Sequence, residues 1–254
     1  MHSIIRSALI ALALLTVSAI QAAFGAPPTA APARDIEPRA LDLVKAASAR
    51  LARTKTFTFR TRNAPGVLAD SSPFASFFAD AQFAVMQPDK VRAKVRGEAP
   101  PLDVFFDGTL TVYQPTLNLY ASSDDPGALE ALIPFALQRA GVLFPLMDAL
   151  AGDPQTTLIK RITRARYKGS AAIGGKQCEH GAFAAPEVEW ELWIEAKTSL
   201  PCRLTGRMLD TQGAPRFAVD FHDWKLNPPL SAASFAFVKP AGAGRFDLRT
   251  LMGQ

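Results

Sequence analysis

The side chains able to do polar chemistry are few, and their spacing limits what they can do. Asp220, His222 and Asp223 form the densest titratable cluster, and Glu179 stands beside His180. A metal ion or a general base needs such groups to converge on one point. Both clusters lie in segments of alternating polar and apolar residues, and successive side chains of a strand point to opposite faces. Asp220 and His222 are therefore expected on the outer face and Asp223 on the inner one, with Glu179 and His180 likewise divided. No metal site is expected from either cluster. Nor does the chain hold a Gly-x-Ser-x-Gly elbow, a P-loop or a dinucleotide fingerprint. The sequence thus predicts a protein without catalytic residues or cofactors.

The other candidates are a basic run and a cysteine pair. Of Lys160, Arg161, Arg164, Arg166 and Lys168, all but Arg161 fall on one face of an expected strand. An outer face of that kind is simply solvated; at a cavity rim it would meet lipid phosphates. Cys178 and Cys202 are the only two cysteines. An oxidising compartment favours a bond between them. Yet in a simple meander a strand runs between the two, and two strand spacings make roughly 9.6 Å, more than a disulfide spans. Alternation from Cys178 to Ala182 and from Cys202 to Leu204 places both sulfurs on the concave side. A disulfide and two free buried thiols both remain open.

The elements that position these groups are strands. In Val188–Leu204, Val188, Trp190, Leu192 and Ile194 share one face and Glu189, Glu191 and Glu195 the other, which predicts a strand with one wet face and so an antiparallel sheet. Pro201–Asp210 returns after a polar turn. The same alternation recurs in 56–62, 79–86, 91–96, 102–106, 110–114, 117–122, 159–167, 177–183, 216–224 and 234–238. The fold class expected is mainly β with some α, a strongly curved antiparallel sheet or unclosed barrel of about 10 to 11 strands. Pro38 to about Arg53 has the spacing of a helix whose stripe is Leu41, Val44, Ala47 and Leu51. A second helical stretch, Pro126 to Arg139, and a third, Pro145–Ala151, are expected to cover the concave side as a lid. The apolar cavity so formed would be lined by Phe57, Phe59, Phe83, Val85, Val91, Leu132, Ala136, Trp190, Leu192, Phe217 and Phe235.

Arg6, the apolar run Ala8–Ile20 and the small residues near Ala23 predict a secretory signal peptide over residues 1–25. A leader over 26–36, one domain over 37–243 and a tail over 244–254 would follow. No later stretch is long and apolar enough to span a bilayer as a helix. No cysteine stands near the cleavage site, so a free periplasmic protein is expected, not a lipid-anchored one. The charge balance, 28 basic against 23 acidic residues, is too mild for a nucleic-acid binder.

Met86-Gln87-Pro88-Asp89-Lys90-Val91-Arg92, Phe106-Asp107-Gly108 followed by Leu110, Val112, Tyr113 and Pro115, and Phe235-Ala236-Phe237 before Pro240 resemble segments of the outer-membrane lipoprotein carriers LolA and LolB. Phe144–Leu150, Asp153-Pro154, Ala165–Gly169 and Trp190–Glu195 are similar to an exported bacterial family described as a domain of unknown function, over roughly residues 36–243. The resemblance implies a half-closed barrel that accepts acyl chains. The expected function is a periplasmic carrier whose partner is a lipid or an acylated protein. The alternative is an envelope sensor or protein-interaction module of the same fold, with an envelope protein as partner.

Overall fold

The residues from Pro38 to Ala52 include no glycine and only one proline, at the first turn where its missing N–H costs nothing, and they form α1 (Pro38–Ala52). Its buried stripe is Ala40, Val44, Ala47 and Leu51. Leu41, expected in that stripe, is only partly buried, and Ala40 is buried in the stripe instead. In the computed structural model the described residues are 34–65, 78–98, 100–123, 159–209 and 216–247. Leu132, Ala136 and the two lid helices lie outside them.

Among the described residues, eleven strands follow the alternation. They are β2 (Thr56–Pro65), β3 (Ala79–Met86), β4 (Lys90–Gly97), β5 (Leu102–Phe106), β6 (Leu110–Gln114), β7 (Leu119–Ser123), β8 (Arg164–Ile173), β9 (Lys176–Ala185), β10 (Val188–Glu195), β11 (Pro201–Met208) and β12 (Arg216–Leu226). Two-residue strands, β1 (Asp35–Ile36) and β13 (Gly244–Arg245), complete the set at the two edges. The spatial order is β1-β8-β9-β10-β11-β12-β2-β3-β4-β5-β6-β7-β13 in one sheet, with the edges not joined to each other. Pairing is antiparallel throughout except for β1 with β8 and β13 with β7, which are parallel. Strand pairing thus reaches past both ends of the expected 37–243 span. Ala33–Gln254 forms one compact unit.

Two expected strands change. The first, expected at 159–167, begins only at Arg164: residues 159–161 are helical and Ile162 is fully buried. As a result Lys160 and Arg161 share no strand face with Arg164. Lys168 stands at the register shift between Tyr167 and Gly169, so the basic run is divided among three local structures. The second, 234–238, is not a strand. A 3-10 turn, Ala232–Ser234, takes its place, and Phe237 packs on Phe105, Tyr113 and Tyr120 with ring centroids 5.2 to 5.8 Å apart. Phe235 is fully buried, but on this C-terminal segment and not on a strand of the apolar face. Pro228, Pro229 and Pro240 border the segment and cannot donate to a ladder.

Gly97 is required both by its backbone conformation and by its neighbours. Gly97 has φ of 150°, and a Cβ there would sit 2.3 Å from the Phe78 carbonyl oxygen and 2.8 Å from Ala79 Cα. Both atoms are backbone, so the β3–β4 pair itself must shift. Gly97→Ala is expected to lower stability by about 2 kcal/mol, read from the midpoint of urea unfolding.

Candidate functional site

The register sorts the sheet into an apolar and a charged face. Phe57 stands opposite Val85 and Val85 opposite Val91; Phe59 stands opposite Phe83, and Phe83 opposite Ala93. In the other half, Trp190 stands opposite Phe183 and Gly206, and Gly206 opposite Phe217. Leu192, Leu204 and Val219 form the next row. Phe57, Phe59, Phe83, Val85, Val91 and Trp190 are buried, while Leu192 and Phe217 are half-buried against the same core. Gly206 exists to admit Phe217, whose Cζ would lie 2.3 Å from a Cβ at that position.

Aromatic rings concentrate at the centre of this face. Phe59 stacks on Phe83 at 4.7 Å and on Trp224 at 4.4 Å, with Phe57 and Phe221 at 6.2 and 6.0 Å. Trp224 is the member that alternation misses. The ladder from β12 to β2 slips between His222 and Lys225, which turns Trp224 to the apolar side, where its indole N–H donates to the Pro201 carbonyl at 3.0 Å. That slip also overturns the expected placement of Asp223 on the inner face. Asp223 has φ of 54° and lies on the charged side, 3.6 Å from Arg60 and 3.3 Å from His222 Nδ1. Among the described residues no group of three or more His, Cys, Asp or Glu is placed to hold a metal.

α1 packs on β8 and β9. Three polar side chains tie it there: Tyr167 donates its hydroxyl to Glu179, Arg39 bonds both the hydroxyl, at 2.8 Å, and the carboxylate, at 3.2 Å, and the guanidinium stacks 3.6 Å over the Tyr167 ring. The hydrogen bond to Glu179 raises the Tyr167 pKa above its ordinary value. These groups satisfy one another, which fits a positioning role better than a catalytic one.

Glu179 and His180 face opposite ways. His180 stacks on Trp193 at 4.0 Å on the charged side, with Glu191 3.6 Å away. Burial holds its pKa below the ordinary value, against the pull of Glu191. A histidine with a depressed folded pKa contributes stability above its unfolded pKa, about 6.5, and that contribution is lost as pH falls through the folded value. Stability should therefore decline as pH is lowered below about 6.5, and less steeply in His180→Gln; urea midpoints across that range test it.

The two cysteines are joined, with Cα atoms 6.6 Å apart. Cys178 on β9 and Cys202 on β11 are separated by β10, but at the end of β10, where Cys178 faces Glu195. There β11 is bulged: Arg203 pairs with Trp193 and Pro201, not Cys202, with Ile194. The bulge and the end of β10 shorten the two-strand crossing to a bondable distance. The expected route through Ala182 to the concave side is incorrect, since Ala182 stands opposite Glu191 and Arg166 on the charged face.

Grooves formed by described residues run over that charged face, three of them as follows. The first, of about 750 Å³, runs over β8 to β12 and is lined by Arg164, Arg166, Glu189, Glu191, Arg207 and Arg216, among others. Arg164 and Arg207 both bond Glu189, and Arg166 bonds Asp35. The other two, of about 600 and 380 Å³, lie over β12, β2, β3 and β4.

Among known proteins, the family described as "Predicted periplasmic protein (DUF2092)" matches residues 40–248. An uncharacterized conserved protein from Thermus thermophilus is similar in structure over 82% of this chain and 99% of its own, with 11% identity and a TM-score of 0.50. The Pseudomonas aeruginosa MucA/MucB complex structure is similar over 79% of this chain and 61% of that chain, with 13% identity and a TM-score of 0.43. A LolA superfamily protein from Nitrosomonas europaea is similar over 78% of this chain and 97% of its own, at 10% identity and a TM-score of 0.37. At these identities the likeness concerns fold alone. None of the curated proteins matches the sequence.

Proposed function

This chain belongs to the predicted periplasmic protein family DUF2092, and on that premise we propose that it is a non-catalytic binding protein whose apolar sheet face carries a lipid, an acyl chain or an acylated protein. The observation that supports this reading is the cluster of Phe57, Phe59, Phe83, Phe221 and Trp224 rings on one face of an unclosed sheet. An acyl chain laid on such a surface gains about 0.8 kcal/mol for each methylene removed from water. The residues of the site are Phe57, Phe59, Phe83, Val85, Val91, Trp190, Leu192 and Phe217, with Trp224 added, and with Leu132 and Ala136 on a lid. Beside this face, Arg39, Tyr167 and Glu179 are engaged with one another. Export by a signal peptide over residues 1–25, and release without a lipid anchor, belong to the same proposal.

Native mass spectrometry of protein purified from the periplasm tests it. A co-purified lipid or fatty acid is the expected result. Protein that is empty in repeated preparations, and that fails to bind an apolar fluorescent probe, would overturn the carrier reading in favour of an interaction module.

A further inference from the structure

We propose that the charged face of β12, β2, β3 and β4 docks on an anionic lipid surface. The inference goes beyond the acyl-binding reading and uses the opposite face of the sheet. Three cross-strand rows build the surface. Lys225 leads to Thr58, Ala84 and Arg92; His222 leads to Arg60, Gln82 and Lys94; Asp220 leads to Arg62, Asp80 and Arg96. These rows line the grooves of about 600 and 380 Å³.

The charge on these rows is unbalanced. Arg60, Arg62, Arg92, Lys94, Arg96 and Lys225 face only two carboxylates within the grooves, Asp80 and Asp223. Two more lie beside them: Asp103, opposite Lys94 on β5, is held by Arg96 at 2.7 Å, and Asp220, opposite Arg62, is held by Arg203. Lys94 and Lys225 belong to no ion pair among the described residues. Arg92 donates to the Ser234 carbonyl and stands 5.1 Å over the Phe105 ring, which holds its charge on this face. The chain as a whole has a formal charge of +5. Arg60, Arg62 and Arg96 are paired here as Arg164, Arg166 and Arg207 are in the groove over β8 to β12, so the cations available to a partner on this surface are Lys94 and Lys225.

The spread of these cations identifies the occupant. Four adjacent strands distribute them over roughly 14 Å, too wide for one small anion and suited to several headgroups side by side. Phe78, 53% exposed, immediately precedes β3 and Asp80. Its N–H donates to the Glu98 carboxylate at 3.1 Å and its carbonyl accepts from the Glu98 N–H, which holds it at the end of the β3–β4 pair, bordering the basic field. A basic surface with an exposed aromatic at its border is the chemistry of interfacial attachment: the cations meet lipid phosphates and the ring enters the headgroup boundary.

Co-sedimentation of the whole protein with vesicles tests this. The protein should bind vesicles containing equimolar phosphatidylglycerol and phosphatidylcholine, should not bind phosphatidylcholine alone, and should be released at about 0.5 M salt by screening. K94Q/K225Q should weaken partitioning about 30-fold, K94R/K225R should retain it, and K45Q/K197Q, which removes the same charge elsewhere, should leave it nearly unchanged. The inference is overturned by absent binding, by equal binding to neutral vesicles, by an equal loss in K45Q/K197Q, or by full competition from millimolar inorganic phosphate at matched ionic strength, which would indicate a small-anion site. Apolar-probe binding in the same samples should not respond to K94Q/K225Q. The two readings can therefore fail independently.

Discussion

Phe59→Ala should lose about 3 to 5 kcal/mol of stability and most of the binding of an apolar fluorescent probe. Phe59 is 6% exposed and contacts the rings of Phe57, Phe83, Phe221 and Trp224, which come from β2, β3 and β12. Truncation removes transfer free energy and leaves a void, because the rings come from three different strands and cannot all move inward together. Phe237→Ala is the comparison. Phe237 is half-buried, over Phe105, Tyr113 and Tyr120 on the other face. It should cost less than Phe59→Ala and leave the probe bound. Urea unfolding gives the stabilities, and a fluorescence titration gives the binding. If both variants lost the probe equally, the apolar face would not be the binding surface.

The second large effect is expected from the disulfide. Cys178→Ala with Cys202→Ala should lower stability by about 3 kcal/mol, since the bond closes a loop over a sequence separation of 24 and restricts the unfolded chain. Unreduced, denatured protein should show no titratable thiol, and reductant should shift the urea midpoint of the parent to that of the double variant. The bond joins β9 to β11 across the end of β10, with Cys178 on the face of His180 and Ala182, opposite to that of the Phe59 cluster. Probe affinity of the folded double variant should therefore match that of the parent. Two free thiols in the parent would exclude the bond and remove the predicted difference.

The sequence by itself determined the sheet and its two faces. Glu189, Glu191 and Glu195 against Trp190, Leu192 and Ile194, or Arg92, Lys94 and Arg96 against Val91, Ala93 and Val95, leave one orientation in which apolar side chains are covered and charges are wet. A register slip of one residue would invert every side chain, so a burial pattern this regular specifies its own register. The match to a predicted periplasmic family agrees with the resemblance drawn from the motifs of the chain. What periodicity does not encode is any place where the period breaks. The slip between His222 and Lys225, which turns Trp224 inward and Asp223 outward, is set by how β12 bends against β2. The bulge in β11 that brings Cys202 to Cys178 depends on its pairing with β10. Two-residue strands such as Asp35–Ile36 have no period at all, and exist only because β8 offers an edge. The basic field is also a product of tertiary structure. Arg60, Lys94 and Lys225 are far apart along the chain, and each is an ordinary wet residue of an alternating strand. Only the order of β12, β2, β3 and β4 in the sheet sums their charges on one surface, because electrostatic potential depends on distance in space and not on separation in sequence.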